Sequence, residues 1–417
     1  MQLWLLVLLA AALPDTLTLS RARDLFLKRN PELQAARLSR HLAAENLGRS
    51  AGSLFLPHLQ VSYQYQRLET TPSLPSFFAQ EPHALSVSLE QTLWSNPYLS
   101  GALDRWLAYR QAREQERQSR NQLLLGLYQA FFEGVEAQEA VRLAALQVRR
   151  ARETLDLVRQ KEALGAASRV EVLQAQLQWQ QARLDSLQAV GRLREAWQNL
   201  ARMLGAERPP DTWILVPDTT LPDTAGLLQN LQARLHRHPE MRQALLSLQQ
   251  KRWGFWFTLL SFLPSVKYGI TWSYGGEAFP TWNRFRDDHT RTRGWYVALV
   301  FPFHTYPFDV ALQRTAWRLA EVQARAAWLQ RWNEVQTAWN TYETAREGLH
   351  LAETAWNLAS ESFRLARAQY REGLISEVEL LNAQAQLKQA EVQRIQAQTR
   401  YRLSLYTLKL AVGEDLP

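Results

Sequence analysis

The chain has 417 residues, with 48 Lys and Arg against 40 Asp and Glu and a net charge of +8. Charges of both signs are interspersed and no basic block occurs, so the balance reads as helix surface and no nucleic-acid partner is expected. The absence of cysteine excludes disulfides, thiolate metal sites, thiol nucleophiles and a lipid-bearing N-terminal cysteine.

Met1 to Leu13 is an apolar run ending in Ala10, Ala11 and Ala12. A transmembrane helix needs about 20 residues. The run reads instead as a secretory signal peptide, 1–12, although Met1 and Gln2 carry no positive charge. A first helix is expected from Leu19 to Arg29, because Pro31 pushes its predecessor out of the helical region. A second helix of about 24 residues then runs to Pro57.

Leu59, Val61, Tyr63 and Tyr65 alternate with Gln60, Ser62, Gln64 and Gln66, and after a polar loop Leu85, Val87 and Leu89 alternate with Ser86, Ser88 and Glu90. Period-two alternation rich in aromatic and β-branched residues predicts strands at about 58–67 and 84–93. No proline then occurs between Pro97 and Pro209. A helix of about 65 residues is expected to reach the glycine turn at Gly165, and a return helix of about 36 residues to stop at Gly205. The long helix would be on the order of 100 Å in length.

Residues 206–226 hold Pro209, Pro210, Pro217 and Pro222 and read as a connecting strap. The pattern then repeats. A helix from Leu227 to Arg237 stops before Pro239, and a second helix stops near Pro264. Strands follow at about 265–274 and 294–303, then a proline-free run from Pro307 to Pro417 with its own glycine turn, Gly373. Gly165 and Gly373 are 208 residues apart, as are Gly205 and Gly413; the segments Leu173–Gln176 and Leu381–Gln384 share that offset. This period is far longer than that of a solenoid, about 20–50 residues. The chain is therefore a duplicated half-molecule, 13–205 and 227–417.

Four amphipathic strands leave two open sheet edges, which lipid does not tolerate. Two copies would supply eight strands and a filled interior; three would supply twelve and a wet lumen. Gln, Ser, Thr, Lys and Gly form the expected lumen face, and Leu, Val, Ile, Tyr and Trp the face toward lipid. Trp94, Tyr98, Trp253, Phe255, Trp256 and Phe257 flank the strands and are expected at the membrane interface, whereas Trp317, Trp328, Trp332, Trp339 and Trp356 are expected to pack between helices. No catalytic constellation, cofactor motif or metal-ligand spacing is present, so no enzyme activity, cofactor or metal is expected. The competing reading is a pore-free periplasmic coiled-coil adaptor or scaffold, which explains the helices but not the strands.

The Asn30-Pro31-Glu32-Leu33 break, the Leu56-Pro57 step into a strand, the turn from Tyr370 to Gly373 and the run Leu380-Leu381-Asn382-Ala383-Gln384 resemble the TolC-type outer-membrane efflux proteins. The resemblance implies a mainly α fold with a membrane β-barrel portion. In it, a homotrimer closes a 12-stranded barrel continuous with an α-helical barrel across the periplasm of a diderm bacterium. It implies a passive exit duct of a tripartite efflux or type I secretion system, docked to a periplasmic adaptor (membrane fusion) protein and an inner-membrane pump or ABC exporter. It also implies a periplasmic gate at Tyr370, Glu171, Glu379 and Asn382, with a Tyr370–Glu171 hydrogen bond as latch. Asn382 and Ile375 stand where the family carries an acid and a base, leaving Glu379 as the one acidic ring. The adaptor-docking tips would be Gly165, Ser168, Arg371, Gly373, Leu374 and Ser376.

Overall fold

A computed structural model describes residues 16–65, 83–206, 209, 213–217, 235–276, 278–298 and 304–414. The expected signal segment, most of the strap, residues 66–67 and 299–303, and the start of the helix expected from Leu227 lie outside the described residues. The chain divides into two compact units.

The first unit comprises Met1–Ala36, Glu116–Pro239 and Trp328–Pro417. It opens with β1 (Thr16–Thr18), which the sequence reading did not anticipate, and α1 (Leu19–Arg29), capped by the Thr18 hydroxyl. β1 pairs in parallel with β4 (Ile214–Val216), the apolar piece of the strap. The far edge of β4 is closed by a side chain. The Gln138 amide donates to the Leu215 carbonyl at 3.4 Å and accepts from its N–H at 3.0 Å, satisfying backbone groups a two-stranded ribbon would strand.

Between α1 and α2 (Pro31–Phe55) the break is made by two residues. Pro31 takes the first helical position, where its missing N–H costs nothing. Asn30, 3 % exposed, accepts from the Leu33 N–H at 2.9 Å and donates to the Met203 carbonyl at 2.9 Å. The break is thereby fastened to the end of α4 (Arg169–Met203). Phe26, Leu33, Tyr128, Phe131, Leu200 and Leu215 belong to the cluster beneath it, all essentially buried. In the other repeat a second cluster packs Leu235 with Val335, Ala338, Leu405, Leu408 and Val412.

The long helices are α3 (Asn96–Ala163, 68 residues) and α7 (Tyr306–Arg371, 66 residues), and the return helices are α4 (35 residues) and α8 (Glu377–Val412, 36 residues). Among the described residues, no helix is long and apolar enough to cross a membrane. Ion pairs stitch them within the unit: Arg150–Glu391 at 3.2 Å, Arg367–Glu153 at 2.7 Å and Lys388–Asp185 at 2.5 Å. Of the mid-helix tryptophans expected between helices, Trp328 stacks on Trp332 of its own helix at 5.8 Å, while Trp356 of α7 is covered by Arg394 of α8 at 3.9 Å.

The second unit comprises Arg37–Gln115 and Glu240–Ala327. Its centre is an antiparallel four-stranded sheet in the order β2 (His58–Tyr65), β3 (His83–Trp94), β5 (Ser265–Gly276), β6 (Thr290–Ala298). β6 begins four residues before the expected 294, because Thr290 to Arg293 alternate Thr with Arg and give no apolar period to read. A short helix, α6 (Trp282–Asp288), stands in what reads as an irregular loop.

Register sorts the sheet into two faces. Gln60, Ser88, Thr271 and Thr292 form one polar row, and Ser62, Ser86, Ser273 and Thr290 the next. The opposite face carries Val61, Val87 and Trp272 in one row and Leu59, Leu89 and Ile270 in another. Those two apolar rows end in Arg291 and Arg293, so the face expected to meet lipid is not wholly apolar.

Candidate functional site

The ends of the sheet are pinned to helices by hydrogen bonds between side chains and backbone carbonyls. The last carbonyls of a helix have no partner inside it. Those of α2 and of α5 (Pro239–Leu259) receive theirs from the helices that leave the sheet. Tyr98 at the start of α3 donates its hydroxyl to the Ser53 carbonyl, and Asn96 donates to Phe257 at 2.6 Å. Tyr306 at the start of α7 donates to Leu259 at 3.0 Å. Tyr98 and Tyr306 are 208 residues apart, the repeat offset. Sequence reasoning gave Tyr98 an interfacial role and overlooked Tyr306; the shared offset was the available signal.

Of the expected interfacial aromatics, Trp94, Trp253 and Trp256 are exposed at 44 %, 43 % and 43 %. Trp253 packs on Phe257, while Phe255 lies against Trp256 and Trp317, which ties it to α7.

At the opposite end of the long helices, the two glycine turns have the same construction. Gly165 and Gly373 take φ of 74° and 77°, the left-handed region that glycine enters without strain. In each, two backbone bonds close the helix end: Gly165 N–H to Glu162 and Ala166 N–H to Lys161 in one, Gly373 N–H to Tyr370 and Leu374 N–H to Gln369 in the other. Ser168 and Ser376 then start α4 and α8, each accepting from the N–H three residues on at 3.3 Å. Leu374, 74 % exposed, stands at the apex of its turn, and Arg371 is the last residue of α7.

Between the turns lies a small apolar cluster of Leu155, Val158, Val172, Ala175, Tyr370 and Leu380, drawn from all four helices. Lys161 clamps it: its ammonium donates to the Tyr370 carbonyl at 2.6 Å and sits 3.8 Å above the Tyr370 ring.

Tyr370 and Glu171 come together here, but not as a hydrogen-bonded latch. The Tyr370 hydroxyl is buried and has no hydrogen-bond partner. Glu171 serves its own helix, accepting from the Ser168 hydroxyl at 3.2 Å. Glu379 closes a capping box, accepting from the Ser376 N–H at 3.0 Å, and lies exposed with Asn382 on α8.

The residue that sequence reasoning missed is Glu377. It is 3 % exposed, and both carboxylate oxygens are buried without a partner. Burial, and after it the field of Glu171, raise its pKa to about 7. Burial, then Glu377, then Glu171 raise the Tyr370 phenol to about 12, so it stays neutral. The missed signal was periodicity: Glu377 shares a face with Leu380, Ala383, Leu387 and Ala390, all buried. Among the described residues, no group of three His, Asp or Glu side chains is placed to hold a metal ion.

Paired long-helix hairpins with capped glycine turns, joined to a sheet with one polar and one apolar face, define an outer-membrane channel protein with a periplasmic helical extension. The outer membrane efflux protein family matches residues 22–206 and 230–414, one stretch in each repeat, and the chain belongs to that family. No curated protein matches it. Similar solved structures include a membrane protein from Pseudomonas aeruginosa at 19 % identity and TM-score 0.80, covering 95 % of this chain and 90 % of that one. The Campylobacter jejuni CmeC outer membrane channel matches at 19 % identity and TM-score 0.77, covering 95 % of this chain and 85 % of that one. The Vibrio cholerae outer membrane protein VceC matches at 14 % identity and TM-score 0.79, covering 96 % and 97 %.

Proposed function

We propose that three copies of this chain close their sheets into one 12-stranded barrel and form the exit duct of a tripartite efflux or type I secretion system. The observation that carries this reading is the pair of open edges. Among the described residues β2 and β6 each have one neighbour, in a sheet whose Leu59, Val61, Trp295 and Val297 are more than 60 % exposed. Apolar strands of this length suit a bilayer, and a bilayer demands that every strand edge be paired. Twelve strands leave a lumen wide enough for water, lined here by the Gln, Ser and Thr rows. A groove of about 960 Å³ between α7 and α8, lined by small residues such as Ala345, Gly348, Ala352 and Ala397, leaves room for side chains of a neighbouring copy.

The duct is passive, and the energy comes from an inner-membrane pump. The exposed turns around Gly165 and Gly373, with Ser168, Arg371, Leu374 and Ser376, form the surface on which a periplasmic adaptor acts. The pore-free scaffold reading gives no account of the two-faced sheet. The test is reconstitution of the detergent-extracted protein into planar lipid bilayers. Discrete, long-lived conductance steps are expected. A protein that partitions without detergent and never conducts would refute the duct.

A further inference from the structure

Glu377 poses a question that the duct alone does not answer. A carboxylate ion sealed from water without a hydrogen bond is among the most unfavourable groups a protein can hold, and such a group takes up a proton instead. Both oxygens of Glu377 are in that position, and its neighbour Tyr370 buries a hydroxyl with no partner either. Glu379, two residues away, is exposed and fully engaged in its capping box.

We propose that Glu377 is the proton-sensing residue of the helix-turn tips: neutral in the closed tip, it ionises as the tip opens, so that a rising pH drives opening. The proposal rests on the duct reading and deepens it by naming what regulates the gate.

The surroundings set the sign. From α4, Glu171 faces Glu377 and repels its ionised form. From α7, Tyr370 faces it as a neutral phenol. From α3, the Lys161 ammonium is turned to the Tyr370 ring and carbonyl. On its own helix Glu379 points back into the cap. Beyond these, Arg169 pairs with Glu162 at 3.5 Å across the first turn. Neither burial nor Glu171 favours a negative Glu377 while the tip stays packed.

The pH window follows from the folded value of about 7 against an ordinary value of 4.5. Below about pH 4.5 the acid is neutral packed or open, and the proton discriminates nothing. Between about pH 4.5 and about pH 7 the closed tip holds one more proton than the open tip, so acid favours closure. Above about pH 7 the full penalty falls on the closed state. If the open tip restores the ordinary value, the ratio of open to closed shifts by at most about 300-fold.

Two readouts test this in the full-length assembled protein. The first is potassium current in planar bilayers between about pH 5.5 and about pH 8.5. Open probability is expected to rise at least about tenfold with a midpoint near pH 7. Glu377→Gln should be flat and low, and Glu171→Gln should move the midpoint to lower pH. The second uses the absence of cysteine. A spin label at Leu374→Cys, an exposed position at the turn, reports distances between tips, which should lengthen over the same pH range and stop doing so in Glu377→Gln. A pH profile unchanged in Glu377→Gln overturns the proposal. So do tips of the otherwise unmodified protein that stay fixed across the range, whatever the variants do. Protein that never conducts while its tips follow Glu377 would refute the duct and leave the proton sensor standing.

Discussion

Three glycines with the same backbone conformation offer a controlled experiment. Gly165, Gly205 and Gly373 have φ of 74°, 71° and 77°. Alanine at any of them would meet the left-handed penalty, roughly 1–2 kcal/mol. Their surroundings differ. A Cβ at Gly165 or Gly373 would find nothing within 4 Å, whereas at Gly205 it would lie 2.7 Å from the Arg29 carbonyl oxygen and 3.2 Å from its carbon. That carbonyl cannot swing away. It precedes Asn30, whose side chain is tied to both Leu33 and Met203, and Pro31 fixes the next turn. Overpacking against immovable atoms adds about 1–3 kcal/mol. Gly205→Ala should therefore cost roughly 2–5 kcal/mol and Gly373→Ala only about 1–2 kcal/mol. Denaturant unfolding of the assembled protein in detergent, followed by helical circular dichroism, makes the comparison. Equal losses for the two would show that the α1–α2 break does not bear on the end of α4, and the reasoning would fail.

His238 is 4 % exposed, and its pKa is lowered to about 4 by burial and then by Arg331 and Arg117, against a bond to the Leu410 backbone that pulls the other way. The stability this neutral histidine contributes is complete above its unfolded value of 6.5 and is lost as pH falls through about 4. The loss is at most about 3 kcal/mol, and His238→Gln should shift acid unfolding to lower pH in a fluorescence titration. Arg150 and Glu391 join α3 to α8 with side chains 27 % and 12 % exposed. Glu391→Ala should lower the unfolding midpoint by the equivalent of about 1–3 kcal/mol, while Glu361→Ala, in a fully exposed pair, should leave it unchanged.

Where a property repeats along the chain, it could be read from the residues. Alternation placed β3, β5 and the start of β2 to within about two residues, and the glycine turns marked where the long helices reverse. What escaped was whatever depends on one side chain meeting another across sequence. Pro31 announces the α1–α2 break, but nothing local says that Asn30 reaches Met203, 173 residues away. The pairing of Leu17 with Leu215 joins segments too short to carry a period. β6 began unseen because Thr and Arg alternate without an apolar partner. At the expected gate, Glu171 and Glu379 are engaged at their helix caps, and the buried acid is Glu377, which the sequence reading passed over.

The account stands or falls on whether the free edge of β2 in one copy meets the free edge of β6 in the next. Because the chain has no cysteine, one cysteine placed in β2 and one in β6 report that contact alone. Oxidation in isolated outer membranes should give some pairs that link three copies into a closed ring, visible as a trimer-sized band on a non-reducing gel and abolished by reduction. If every β2–β6 pair across the register yields only uncrosslinked chains, or bands that grow without limit, the barrel is not built from these sheets.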